Sequence, residues 1–189
     1  MARPGATLIL TGQRIESAVR RLDALYQLAR RTCTDRFTAE ETQEPRELLE
    51  HIPLGFADSM RREIAQKLEL PPSILSLDRF SVYSCGPIAL HDDRHNYPDV
   101  YFVIVVAHSG RLGVVDRTGR AARHASGEIL LLDPYRKHAL VPEGRAAREH
   151  PYERTHALVT DPEDQFMFLD FDVRRPLLRP RFRLPREGQ

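Results

Sequence analysis

The segment Ile88-Ala89-Leu90-His91-Asp92-Asp93-Arg94-His95 sets an imidazole and a carboxylate two residues apart behind an apolar approach. Residues i and i+2 of a β-strand point to one face, so His91 and Asp93 can aim at a common point while Asp92 turns away. A third donor is supplied by residues 127–142, which read as a strand, an Asp133-Pro134 turn and a second strand opening on His138. Two imidazoles and one carboxylate on one side of a divalent metal leave coordination positions open, an arrangement that suits iron(II), Fe(II), and its reaction with O2.

Other histidines compete less well. His95 stands four residues from His91, the spacing of a helical ligand pair, but Pro98 and the strand character nearby oppose a helix there. His156 is a real rival to His138, because residues 154–159 echo residues 136–141, although the Gly-Glu strand and Asp-Pro approach before His138 are missing. His108 and His124 lie beside the turns Ser109-Gly110 and Ser126-Gly127, and His51 precedes Ile52-Pro53, settings in which an exposed histidine is ordinary. Cys33 and Cys85 are far apart and form no C-x-x-C pair, so neither a disulfide framework nor a thiolate zinc site is expected, and Cys85 reads as a small core residue.

The elements that must carry these residues change character along the chain. Residues 13–32 show Ile15, Ala18, Val19, Leu22, Leu25, Tyr26 and Leu28 at three- and four-residue steps, which predicts an amphipathic helix. A second helical pattern covers residues 56–68 before Pro71-Pro72, and Thr38-Ala39-Glu40-Glu41 offers a capping signal between them. After the prolines come short apolar, β-branched runs at residues 74–83, 100–107, 112–115, 128–132, 139–141 and 166–173, bounded by Gly, Pro or Asp. Close spacing and turn signals favour a sandwich or barrel over βαβ units. The expectation is one domain over residues 1–189, mainly β with α: a helical support (1–72), a jelly-roll core (73–174) and a Pro/Arg-rich C-terminal extension (175–189).

In motif and order of parts the chain resembles the 2-oxoglutarate and Fe(II)-dependent oxygenases, especially their prolyl-hydroxylase-like branch, across residues 78–173. The H-x-D of that family corresponds to His91-Asp92-Asp93 and its distal histidine to His138, with Tyr83-Ser84-Cys85-Gly86 ahead of the H-x-D and Gly-Glu-Ile-Leu-Leu-Leu before the distal His. The resemblance implies a double-stranded β-helix, a jelly-roll or cupin-like fold, with Fe(II) held by His91, Asp93 and His138. It further implies that 2-oxoglutarate chelates the metal and is consumed with O2 to give succinate and carbon dioxide while a substrate is hydroxylated. Desaturation and cyclisation stay open, whereas halogenation, in which relatives replace the Asp by Gly or Ala, is disfavoured by an intact Asp93.

The far carboxylate of 2-oxoglutarate would need a basic partner, and an Arg fork grips a carboxylate through two charge-assisted hydrogen bonds. The family places this Arg about ten residues beyond the distal His at the start of the next strand. Arg148 has the spacing but sits in a loop-like stretch, whereas Arg154 precedes an apolar run; they rank as near equals, with Arg145 behind them and Tyr83 as a hydrogen-bonding partner. A different class, a cupin-like binding or sensing module without oxidation, lacks its usual H-x-H here, and a purely structural β domain requires three coincidences of order.

Composition narrows the setting. Of 189 residues 41% are hydrophobic and 29% charged, and no apolar run approaches the roughly 20 residues of a membrane helix. The first ten residues lack the layout of a secretory signal, so a reducing cytoplasm is expected. The net charge of +1 spreads 28 basic against 27 acidic side chains along the chain and implies no nucleic acid. The C-terminal run Arg174, Arg175, Arg179, Arg181, Arg183 and Arg186 is chemically able to touch a phosphate backbone, but reads better as an extended solvated tail. A small molecule, amino acid or peptide segment is the expected substrate; the oligomeric state is not legible.

Overall fold

A computed structural model describes residues 8–32, 54–75, 80–97, 99–116, 123–144 and 162–182. Its elements are β1 (Leu8–Arg14), α1 (Val19–Thr32), α2 (Leu54–Lys67), β2 (Phe80–Cys85), β3 (Ile88–His91), β4 (Val100–His108), β5 (Leu112–Asp116), β6 (Glu128–Leu132), β7 (His138–Pro142), β8 (Phe166–Arg174) and α3 (Arg175–Phe182). The strands form two antiparallel sheets, one of order β1-β6-β4-β8-β2 and one of order β3-β7-β5. The fold is mainly β with helices on one side, a jelly-roll-like arrangement as expected from the spacing of the strands. None of the described helices is long and apolar enough to cross a membrane.

Two apolar layers explain the sequence pattern. On one face of the larger sheet, Val103, Val105, Ala107, Ile129, Leu131, Met167, Leu169, Phe171 and Val173 pack with Leu22, Leu25 and Tyr26 of α1 and Phe56, Met60 and Ile64 of α2. On its other face, Val100, Phe102, Ile104, Val106, Leu130, Leu132 and Phe166 meet Leu112, Val114 and Leu140 of the smaller sheet. β4 is thus covered on both faces, which is why it is an unbroken apolar run and not an alternation. Full burial of a large aliphatic or aromatic side chain is worth about 1.5–3 kcal/mol, so each layer is a substantial part of the folding free energy.

Three expectations need correction. Gln13 and Arg14, expected to open the first helix, instead end a strand, β1, which starts at Leu8 and pairs antiparallel with β6, Leu8 opposite Leu132 and Leu10 opposite Leu130. The strand ends where Ile15 N–H donates to Gly127 O at 2.9 Å; Gly127 has φ +83 and a Cβ there would lie 2.9 Å from Ile15 O, so the approach requires glycine. The run expected as one strand over 74–83 is a 3-10 turn at Pro72–Ile74 and then β2 from Phe80, with residues 76–79 outside the description. The arginine-rich end, expected as an extended tail, is helical over Arg175–Phe182, and Arg175 is buried. The Thr38 capping signal lies outside the described residues.

Candidate metal centre

β3 and β7 bring the first and third donors face to face. Ile88 pairs with Leu140 and His91 with His138, so three steps along β3 match two along β7. β3 therefore carries one extra residue, a bulge. Leu140 and its partner Ile88 face the inter-sheet core, and the bulge breaks the alternation after them, sending Leu90 to the opposite face beside Val115, Ala139 and Val141. Without the extra residue Leu90 would stand opposite His138 and His91 would turn outward, because a one-residue slip reverses every side chain.

Asp93 lies not on the strand but in the turn after it, where its N–H donates to Pro134 O at 2.9 Å and its carbonyl accepts from the amides of Asn96 and Tyr97, each at 3.0 Å. The three donors nonetheless converge. Asp93 Oδ2 is 3.2 Å from His138 Nε2 and 3.7 Å from His91 Nε2, and the three ligand atoms all lie within 4.8 Å of one another. The rings of His91 and His138 are tilted by 54° with centroids 4.4 Å apart. His138 Nδ1 donates to Arg136 O at 3.0 Å, since a carbonyl only accepts, which leaves Nε2 as the nitrogen facing Asp93 and the one that, on losing its proton, would offer a lone pair to a metal. Asp92 is not among the converging donors and pairs with Arg94 at 2.8 Å.

Burial raises the Asp93 carboxyl, but the hydrogen bond from His138 and the charges of His138 and His91 outweigh it, and the net displacement is downward. An ionised Asp93 between two imidazoles is the donor set of an oxygen- and nitrogen-ligated divalent ion.

Behind the ligands stands a buried ion pair that sequence patterns did not reveal. Asp133, 1% exposed, opens the connection from β6 to His138 and accepts both terminal nitrogens of Arg175, at 2.6 and 3.0 Å. The Arg175 guanidinium lies over the rings of Tyr101 and Tyr135, 4.4 and 4.3 Å from their centroids. Tyr101 also donates its hydroxyl to Asp133 at 3.3 Å; burial first and the Asp133 charge second push that phenol up to about 12. Tyr135 N–H donates to Asp133 Oδ1 at 3.0 Å, and Tyr135 Oη accepts from Asp99 N–H at 2.8 Å, tying this connection to the start of β4.

A second missed feature is acidic. Phe166 and Phe168 of β8 face the inter-sheet core while Met167, Leu169, Phe171 and Val173 face the helices, so alternation turns Asp170 and Asp172 inward. Asp170 is 5% exposed, and its Oδ1 has no hydrogen-bond partner among the described residues. Burial raises its carboxyl well above the ordinary range, the charges of Asp172 and Asp93 raise it further, and a hydrogen bond from the Phe171 amide opposes them.

The remaining candidates are placed unevenly. Tyr83 lies on β2 with Phe168 as its backbone partner, while its side chain is outside the description. Arg145, Arg148, Arg154 and His156 all lie outside the described residues. His95 is exposed in the turn after Asp93. His124, expected to be exposed, is buried, with Nδ1 3.5 Å from Glu128 Oε2, and His108 stacks on Tyr26 at 3.7 Å; both serve packing.

No protein-family model matches the chain, and no curated protein matches it. Among solved structures it is similar to one described as CytC3 with Fe(II) and alpha-ketoglutarate, with a TM-score of 0.37 and 9% sequence identity over 88% of this chain and 72% of that one.

Proposed function

We propose that the chain is an Fe(II)- and 2-oxoglutarate-dependent dioxygenase that hydroxylates a small molecule, amino acid or peptide. The observation that carries the reading is the convergence of His91, Asp93 and His138 within 4.8 Å at the junction of β3, β7 and the turn between β3 and β4. The donor set fits a divalent ion: two imidazoles, one of them with its Nε2 turned to the site by the Nδ1 bond to Arg136 O, and one carboxylate held ionised. A three-residue facial set leaves room for a co-substrate and for O2.

When bound, the metal supplies the reduction of O2 coupled to oxidation of 2-oxoglutarate, so that 2-oxoglutarate, O2 and R–H give succinate, carbon dioxide and R–OH. The protein's own part is to hold the ligands and to keep the reacting carbon out of water. The Asp133–Arg175 pair fixes the connection that delivers His138, and Pro134 O fixes Asp93. Phe102, Ile104, Leu140 and Phe168 provide an apolar surround between the sheets. Tyr83 with Arg148 or Arg154 is assigned to 2-oxoglutarate, the Arg gripping the far carboxylate through both guanidinium nitrogens. A reducing cytoplasm belongs to the same proposal, since it keeps the metal ferrous.

The test is anaerobic titration with Fe(II) and 2-oxoglutarate, following the weak visible charge-transfer band of the chelated pair. The band forms with wild-type protein and is abolished by Asp93→Ala. Its absence from folded wild-type protein sinks the proposal. Arg148→Ala and Arg154→Ala then separate the two anchors by their apparent 2-oxoglutarate affinity, and equal, negligible effects remove both from the role.

A further inference from the structure

Resting on the reading of the metal centre just given, we infer that the substrate carries a cationic group, a guanidinium or an ammonium, received between the sheets by the carboxylates of Asp170 and Asp172.

A buried carboxyl with one oxygen left unbonded is penalised, and native structures keep one only where something compensates it. Asp170 is 5% exposed with Oδ1 unpartnered among the described residues. Its backbone partner on β4 is Ile104, and that of Asp172 is Phe102, so the neighbouring strand sets an apolar residue opposite each acid. A merely structural inward position on β8 would take an aliphatic or aromatic side chain, as Phe166 and Phe168 do. An acceptor left unbonded on that face, Asp170 Oδ1, is instead open to a donor, and a cationic donor suits it best.

The surroundings favour this occupant over others. Ile104 and Phe102, the strand partners of the two acids, lie in the same inter-sheet layer as Ile88 and Leu140, which share β3 and β7 with His91 and His138, so the acids face the sheet that carries the ligands and do not stand on a remote surface. Phe102 and Phe168, on the same inward face, add aromatic surface that attracts cations and tolerates the stem of an alkyl ammonium or alkyl guanidinium. A carboxylate or phosphate head would meet Asp172 as a like charge and would hold Asp170 protonated, whereas a cation favours the ionised form of both. The far carboxylate of 2-oxoglutarate must accordingly be held away from the inward face of β8, a task left to Arg148 or Arg154. A guanidinium matches two carboxylates best, because its planar fork presents donors on more than one edge.

The minimal probes are the propylguanidinium and butylammonium ions, with propylurea as the neutral shape match, titrated into the 15N-labelled full chain and followed by amide chemical shifts. Both cations bind and propylurea does not. Asp170→Asn weakens cation binding about tenfold or more, Asp172→Asn weakens it too, and Asp58→Asn on α2 leaves it unchanged. Equal binding of urea and guanidinium, undiminished binding by Asp170→Asn, or no binding of either cation overturns the inference. The amide spectrum reports folding; if Asp170→Asn does not fold, the partly exposed Asp172 carries the test, and unchanged binding by Asp172→Asn overturns it. Measuring the Fe(II)–2-oxoglutarate band on the same samples separates the two claims. No band with selective cation binding defeats the oxygenase reading alone, and a band without selective cation binding defeats the cation site alone.

Discussion

The Arg175 guanidinium spans the Asp133 carboxylate with two hydrogen bonds, 2.6 and 3.0 Å, in a setting where both side chains are at most 3% exposed. Asp133 begins the short connection that ends at His138, and the next residue, Pro134, accepts the amide of Asp93. The first residue of α3 therefore bears on two of the three candidate ligands without touching either.

Arg175→Met is expected to leave buried Asp133 with only the more distant Arg136, 3.5 Å away, as its cation, lowering stability by up to about 3–5 kcal/mol in urea denaturation. Metal affinity should fall by roughly 10–100-fold, the usual cost of losing support behind a ligand. Arg175→Lys should recover little, because a single ammonium cannot reproduce the two parallel bonds. Arg175→Met with Asp133→Asn should be more stable than Arg175→Met alone. A wild-type midpoint for Arg175→Met would show that the pair does not hold this connection.

Replacing the candidate ligands tests the centre itself. His91→Ala, Asp93→Ala and His138→Ala should each lower affinity for Co(II), used as a spectroscopic stand-in for Fe(II), by more than the roughly 10–100-fold expected from an outer partner. His95→Ala, at an exposed position, should not. Affinity should also fall on acidification, since imidazole and carboxylate ligands bind only when deprotonated. Retention of Co(II) by His138→Ala would transfer the third ligand elsewhere, with His156 the first residue to try.

Much of this was legible because it is local. The bounds expected for β6 coincide with Glu128–Leu132, and β4, β5, β7 and β8 differ by a residue or so, since each is an apolar run closed by turn residues. His138 at the head of β7 followed from the Asp133-Pro134 turn. The rest depends on partners distant in sequence. The end of β1, Gln13 and Arg14, fell into the helical pattern because Ile15 starts the period that Ala18 and Leu22 continue, and β1 itself was not expected, since only its pairing with β6 makes residues 8–14 a strand. In Phe166–Val173 the acids alternate with apolar residues as if facing water, but the helices cover the apolar face and the smaller sheet stands over the other. Arg175 looked like one more tail arginine because Asp133, its partner, is 42 residues away.

Asp170 makes a prediction about pH. Burial, then the charges of Asp172 and Asp93, hold its carboxyl above the ordinary 3.8, so the folded chain keeps a proton that the unfolded chain has released. The stability this confers is fully present below 3.8 and is lost as pH rises through the folded-state value. In chelator-treated protein, Asp170→Asn should raise Tm at neutral pH, by about 2–4 °C for each kcal/mol gained, and the difference should vanish below the unfolded value. A less stable Asp170→Asn at neutral pH would mean that the carboxylate is compensated within the chain.

The bulge in β3 makes the last prediction, and an unusual one for a strand beside a candidate metal centre. Removing one residue from a regular strand reverses the face of everything beyond it. Here β3 already spends three steps where β7 spends two, between Ile88 and His91. Deleting Leu90 should let Ile88, Ala89 and His91 run in regular alternation, with Ile88 still opposite Leu140 and His91 still opposite His138. Co(II) binding should survive within about tenfold, and the loss should be confined to the Leu90 contact with Val115, Ala139 and Val141, on the order of 1–3 kcal/mol. Inserting an alanine after Leu90 should do the reverse, turning His91 outward and abolishing Co(II) binding in a chain that still folds. Should the deletion abolish binding and the insertion preserve it, the pairing of His91 with His138 is not what aims the imidazole.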